Sequence, residues 1–188
     1  MSPLSDFEKQ ALLALTRRAI EAAVRDVQLL DTPPWSGILA EPRGIFVTLH
    51  CRGRLQGCIG VIEPVESLGD SLVRCAVGAA LSDPRFPALR AEELLDLHIE
   101  LSLLSRLQPI QPQEIEVGRH GLFLRRSAQR GLLLPQVATE YGFTRERFLE
   151  ETCRKAGLPP GAWLDPETRL YAFTCEIIAE LRAGPPGP

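Results

Sequence analysis

The sequence predicts an α+β protein with a mainly antiparallel sheet and flanking helices, and three observations carry that expectation. Short β-branched runs turn back on themselves through tight turns, so strands are joined as hairpins rather than by βαβ crossovers. Stretches with apolar residues at helical spacing alternate with those runs. The 188 residues are 45% hydrophobic and 24% charged, which is enough to bury a core and unlike a disordered or fibrous chain.

The elements follow in order. Ser5-Asp6-Phe7-Glu8 has the form of a capping box, in which hydroxyl and carboxylate satisfy exposed backbone donors reciprocally. Behind it Leu12, Leu15, Ala19, Ala22 and Ala23 predict a helix to about Leu30, ended by Pro33-Pro34. Residues 45–50 and 55–62, joined by Arg52-Gly53, read as a hairpin. Ser67 or Asp70 opens a second helix whose packed stripe is mostly small: Leu72, Cys75, Ala76, Ala79 and Ala80. Small residues let a helix lie close to a sheet. Asp83-Pro84-Arg85-Phe86-Pro87 stops that helix. A helical turn is expected at 91–95, then a strand at 99–103 with one wet face, then a loop marked by Pro109 and Pro112.

The second half resembles the first in outline. A strand at 121–125 and a return at 131–134 precede a helix at 136–141. Gly44 to Leu55 and Gly121 to Leu132 are both 11 residues, and Phe46 and Phe123 occupy matching positions at a period of 77. A duplicated hairpin–helix unit and two unrelated hairpins both fit this pattern. Thr144 caps a further helix carrying Phe148, Leu149, Cys153 and Ala156, with Gly157 at its end. Residues 168–178 read as a final strand returning to the main sheet, and 184–188, rich in Gly and Pro, as a disordered tail. The expected organisation is one domain over 1–183, made of two lobes with a boundary near 110–120.

Nineteen of the 21 Lys and Arg residues are Arg, and the net charge is −3. Genome base composition accounts for such a bias; the functional alternative is an Arg-lined anion site, since guanidinium offers a planar fork that Lys does not. Overall acidity counts against general nucleic-acid affinity, which needs clustered positive charge. The N-terminal residues lack the basic and apolar regions of a secretory signal, and no apolar run approaches the ~20 residues of a membrane span. A cytoplasmic protein is expected. Five cysteines without a C-x-x-C pair, and His50, His98 and His120 without ligand spacing, give no sign of a metal site or a disulfide framework. No cofactor is expected.

Chemistry concentrates in a few places. Two glycines flank Cys58 within a strand, in Gln56-Gly57-Cys58-Ile59-Gly60, which signals a bulge, a bend or a close approach. Cys58 is therefore a candidate accessible thiol, or else part of a bent structural strand. A two-residue turn pairs it with Val47, and one extra residue pairs it with Thr48. Asp83 and Arg85 can form a bidentate pair or present Arg85 to an anion. His120 is a candidate acid or base, and Gln136 at a helix start is a candidate ligand contact.

These stretches also carry a resemblance. Residues 44–49, 55–60, Asp83-Pro84-Arg85-Phe86, 99–105, 118–122, 131–138 and 153–158 closely resemble the AMMECR-type domain, called AmmeMemoRadiSam system protein A in bacteria and archaea. It runs in order from about Phe7 to Ile178. The resemblance implies two unequal lobes around antiparallel sheet, and a genomic setting beside a Memo-like protein and a radical SAM protein. It implies no established reaction. The family motif usually has Arg before the Gly-Cys pair, where this chain has Gln56; Arg54, expected on the same strand face, is the substitute. The resulting expectation is a cleft-bearing ligand-binding or enzymatic protein for a small anionic ligand. Cys58 would be nucleophile or thiol contact, His120 its base, and Arg85, oriented by Asp83, the anion clamp, with Gln136 and Arg54 also binding. The alternative is a non-catalytic interaction module in which the Gly-Cys motif is structural.

Overall fold

A computed structural model describes residues 4–28 and 34–181; the expected tail at 184–188 lies outside them. The chain divides into two compact units. The first comprises the described residues of Met1–Leu103 and Glu176–Pro188, and the second Leu104–Cys175.

In the first unit α1 (Asp6–Val24) starts at the expected capping box. It ends six residues before Leu30. Asp26 takes a left-handed conformation (φ 53°), and the Val27 N–H donates to the Ala22 carbonyl at 2.9 Å, so a local reversal closes the helix before the prolines are reached. Strands β1 (Ile45–Cys51) and β2 (Arg54–Val61) form the hairpin, and Ser67 caps α2 (Leu68–Leu81) through the Asp70 N–H. Strand β3 (Leu97–Leu104) pairs antiparallel with β1. With β8 (Cys175–Ala179) the sheet runs β2-β1-β3-β8. Ile45, Val47 and Leu49 of β1 and Ile99, Leu101 and Leu103 of β3 share one face and pack against α1 and α2. The alternate residues form the other face.

The second unit contains β4 (Gln108–Pro109), β5 (Gly121–Arg126), β6 (Gln129–Leu133), α3 (Pro135–Glu140), α4 (Arg145–Lys155) and β7 (Arg169–Phe173). Its sheet runs β4-β7-β5-β6. Leu122 and Leu124 of β5 meet Ala138, Phe148, Leu149 and Cys153 from the helices.

The stretch expected as a single strand at 168–178 is two strands in two sheets. The strand is interrupted at Thr174, whose N–H donates to Ser105 Oγ at 2.9 Å while its carbonyl accepts from the Ser105 N–H at 2.9 Å. An apolar, β-branched run gives no local sign of such a handover. Both sheets are antiparallel wherever register is described, and helices lie on the sheets, so the fold is α+β.

Candidate functional site

The hairpin turn is two residues long: Arg52 and Gly53 both have positive φ, 51° and 75°, as a primed turn requires. Cys51 opposes Arg54 and His50 opposes Leu55, but Leu49 opposes Gly57. Gln56 is therefore the extra residue of a bulge, and Cys58 falls opposite Thr48. The pairing with Thr48 arises in mid-strand rather than in the turn. The bulge also resets the alternation. Arg54 lies opposite Cys51, on the helix side, whereas Cys58 lies opposite Thr48 on the other side, so Arg54 does not share the Cys58 face.

Both glycines of the motif sit against neighbours. A Cβ on Gly57 would lie 2.0 Å from the Ala79 carbonyl oxygen of α2, and one on Gly60 would lie 2.3 Å from the Phe46 ring. The small stripe of α2 and Gly57 thus meet backbone to backbone.

Strand β2 is an edge strand, and the loop after α2 covers it at Cys58. Asp83 Oδ2 accepts from the Cys58 N–H at 2.9 Å and from Arg85 Nη2 at 2.7 Å. Asp83 Oδ1 accepts from the Arg85 N–H at 3.1 Å and from Arg85 Nε at 2.9 Å. Arg85 Nη2 also donates to the Cys58 carbonyl at 2.9 Å, and Gln56 Nε2 donates to the Pro87 carbonyl at 2.8 Å. The free donor and acceptor of an exposed strand edge are both satisfied here. The Asp83 side chain is only 2% exposed, that of Arg85 56%. The guanidinium of Arg85 holds the Asp83 carboxyl far below the usual carboxylate range, helped by the Cys58 and Arg85 N–H groups and opposed by burial. Asp83 in turn raises Arg85, opposed by burial. Two Nη1 donors of Arg85 make no hydrogen bond among the described residues, and they are what Arg85 can offer an anion.

The Cys58 sulfur, half-buried, lies 3.4 Å from Thr48 Oγ1, either atom able to donate. Register adds four further groups to this face. Thr48 opposes Glu100, and His50 opposes His98, with imidazole centroids 6.4 Å apart. His98 Nε2 is 2.7 Å from the Glu180 carbonyl, while the His50 ring has no hydrogen bond among the described residues. A thiol, a hydroxyl, two imidazoles and a carboxylate therefore share one side of the first sheet. Thr48, His50, His98 and Glu100 were missed as site candidates from sequence; the period-2 pattern of β1 and β3 holds the signal, but only register aligns it with Cys58. The other thiols differ. Cys51, Cys75 and Cys153 are buried, and burial pushes all three up, Cys75 to about 11. Cys175 is half-buried.

His120 and Gln136 belong to the second unit. His120 Nδ1 accepts from the Glu116 N–H at 3.1 Å and the His120 backbone N–H donates to the Glu116 carbonyl at 2.9 Å, so His120 closes a local turn. Gln136 is half-buried in the first turn of α3. Thus, within the first unit, Cys58, Asp83 and Arg85 come together and Arg54 does not join them. Among the described residues no group of three or more His, Cys, Asp or Glu is placed to hold a metal ion, and no helix is long and apolar enough to cross a membrane.

Comparison with known proteins matches residues 13–178 to the family model AMMECR1. The chain belongs to the AMMECR1 family. A protein of Methanothermobacter thermautotrophicus is 46% identical over 95% of this chain and 97% of its own length. Protein TK0174 of Thermococcus kodakarensis is 41% identical, over 96% and 94%. The crystal structure of the uncharacterized protein PH0010 from Pyrococcus horikoshii is similar with a TM-score of 0.84 and 40% identity, covering 93% of this chain and 92% of that one. This AMMECR1 protein therefore shares its α+β fold with archaeal relatives across nearly the whole chain.

Proposed function

We propose that this AMMECR1 protein is a cytoplasmic ligand-binding or catalytic protein whose chemistry centres on Cys58. The observation that carries the reading is the contrast between a backbone fixed by Asp83 and Arg85 and a sulfur whose one hydrogen-bond partner among the described residues is Thr48. Both polar groups of the Cys58 peptide are occupied by Asp83 and Arg85, while the thiol is directed to a polar sheet face beside Thr48. A positioned, accessible thiol is what nucleophilic or thiol-contact chemistry needs. Asp83 is a positioning residue, Arg85 Nη1 the contact for a small anion, and His50 the imidazole that register brings nearest for proton transfer. The Memo-like and radical SAM partners implied by the resemblance belong to the same proposal, and co-purification of either with the tagged chain supports it.

Iodoacetamide labelling of the native protein across pH, read site by site by mass spectrometry, tests the thiol. Cys58 is expected to label in the folded state, and Cys75 and Cys153 only on unfolding. Labelling of Cys58 no faster than Cys153 sinks the proposal.

The close approaches at Gly57 and Gly60 favour a second reading, in which the motif only lets α2 and Phe46 pack tightly and the protein is an interaction module. In that case Cys58→Ser leaves every binding property unchanged.

A further inference from the structure

The second unit carries a groove of about 570 Å³ between α3, β6 and α4, a volume typical of small-molecule sites. Its floor is apolar: Leu133, Val137 and Phe143, with Tyr141 beside them. Tyr141 is 71% exposed, yet its ring is stacked on Phe143, with centroids 5.5 Å apart and planes at 22°. One wall is the outer stripe of α4, where Arg147, Glu151, Arg154 and Lys155 line the groove, opposite the face that buries Phe148, Leu149, Thr152 and Cys153. The lining of that wall carries three cations and one carboxylate, and Glu150 beside it also pairs with Arg147 at 3.3 Å. Glu151 Oε1 is shared between Arg147 Nη2 at 2.6 Å and Arg154 Nη1 at 2.5 Å. The Lys155 ammonium has no hydrogen bond or ion pair among the described residues. Arg154 and Lys155 also offset the α4 dipole in its last turn, but that role requires no apolar floor and no stacked aromatic pair beneath them.

We propose that this groove binds a small aromatic carboxylate. The ring of the ligand continues the Tyr141–Phe143 stack over Val137 and Leu133, where an offset aromatic contact adds to simple burial. The carboxylate meets the Lys155 ammonium, whose charge Glu151 does not neutralise. A neutral ring would fill the floor and leave the cationic wall unused, whereas a free inorganic anion would use the wall and leave the floor uncovered.

The full chain is titrated with naphthoate and, separately, with the neutral analogue naphthylmethanol, by calorimetry and by amide NMR shifts. Naphthoate is expected to bind one to one, more tightly than the alcohol, with shifts at Leu133, Val137, Phe143 and Lys155. The exposed change Lys155→Gln should weaken naphthoate about threefold, the size of one surface charge contact, and leave the alcohol unaffected. Tyr141→Ser should weaken both ligands. Equal affinity for acid and alcohol, shifts that map elsewhere, or indifference to both substitutions would overturn the proposal.

Discussion

The two units share one strand arrangement, and their hairpin ladders differ by one residue. In each, the second strand of a hairpin lies at the sheet edge, the first strand lies inside, and a later strand pairs antiparallel on its other side: β2-β1-β3 and β6-β5-β7. Each hairpin turns in two residues. Each returning strand carries a glycine under a helix backbone, Gly57 beneath Ala79 of α2 and Gly131 beneath Thr152 of α4. The β5–β6 ladder, however, keeps regular register through five pairs, whereas β1–β2 is interrupted at Gln56. That extra residue moves Cys58 from the packed face to the polar face and leaves its peptide groups on the open edge for Asp83 and Arg85. A similar hairpin thus keeps an unbroken ladder in one unit and, in the other, turns a thiol to the face away from the helices.

The glycines test the shared part of that scaffold and should give the largest effects. Gly57→Ala places a methyl 2.0 Å from the Ala79 oxygen, and Gly131→Ala one 2.5 Å from the Thr152 oxygen. Backbone cannot yield as a side chain can, so each should cost about 3 kcal/mol in urea unfolding. Hydrogen exchange should report loosening in the unit that carries the change. Equal tolerance of Ala at both sites would mean that the helices do not rest on these strands.

Asp83→Asn attacks the part found in the first unit alone. It removes a buried carboxylate that accepts four hydrogen bonds, so a loss of about 2 kcal/mol at neutral pH is expected. The sign with pH follows from the depressed carboxyl. Its stabilisation is fully present above the unfolded value of ~3.9 and is lost as pH falls toward the folded one. Wild-type and Asp83→Asn stabilities should therefore converge in acid; a difference that persists unchanged at pH 2 contradicts the brace. Gln56→Ala should cost about 1 kcal/mol through the lost bond to Pro87.

The smallest effects lie in the turns. Ser127 has φ 52° and Arg52 φ 51°, conformations in which glycine is less strained. Ser127→Gly should raise stability by about 0.5 kcal/mol, read as a small rise in thermal midpoint. Arg52→Gly should gain less, because Arg52 Nε donates to Asp96 Oδ2 at 2.7 Å, an exposed pair of small worth.

Helix starts, both hairpins and the α+β class were legible because each depends on neighbours in sequence: Ser5 with Glu8, Ser67 with Asp70, Thr144 with Arg147. The bulge and close approach at Gly57 were legible too, since glycine inside a strand is unfavourable without a reason. Register was not. The bulge at Gln56 is held through Cys58 by Asp83 and through Gln56 by Pro87, bonds that span 25 and 31 residues, and no local propensity encodes that partnership. Without register, Thr48, His50 and Glu100 cannot be aligned with Cys58, and Arg54 is assigned to the wrong face. The end of α1 was missed for the opposite reason: it rests on one local reversal at Asp26, a weaker pattern than the two prolines that follow in sequence.

Strand β8 closes the first sheet only after the whole of the second unit has intervened. During synthesis β3 leaves the ribosome with one side unpaired, and its partner is translated more than 70 residues later. Until then a hydrophobic strand has a free edge, the feature that recruits other chains into aggregates. Nascent chains of this protein are thus most exposed to misassembly while the second unit is being made, and slow decoding there would prolong the hazard.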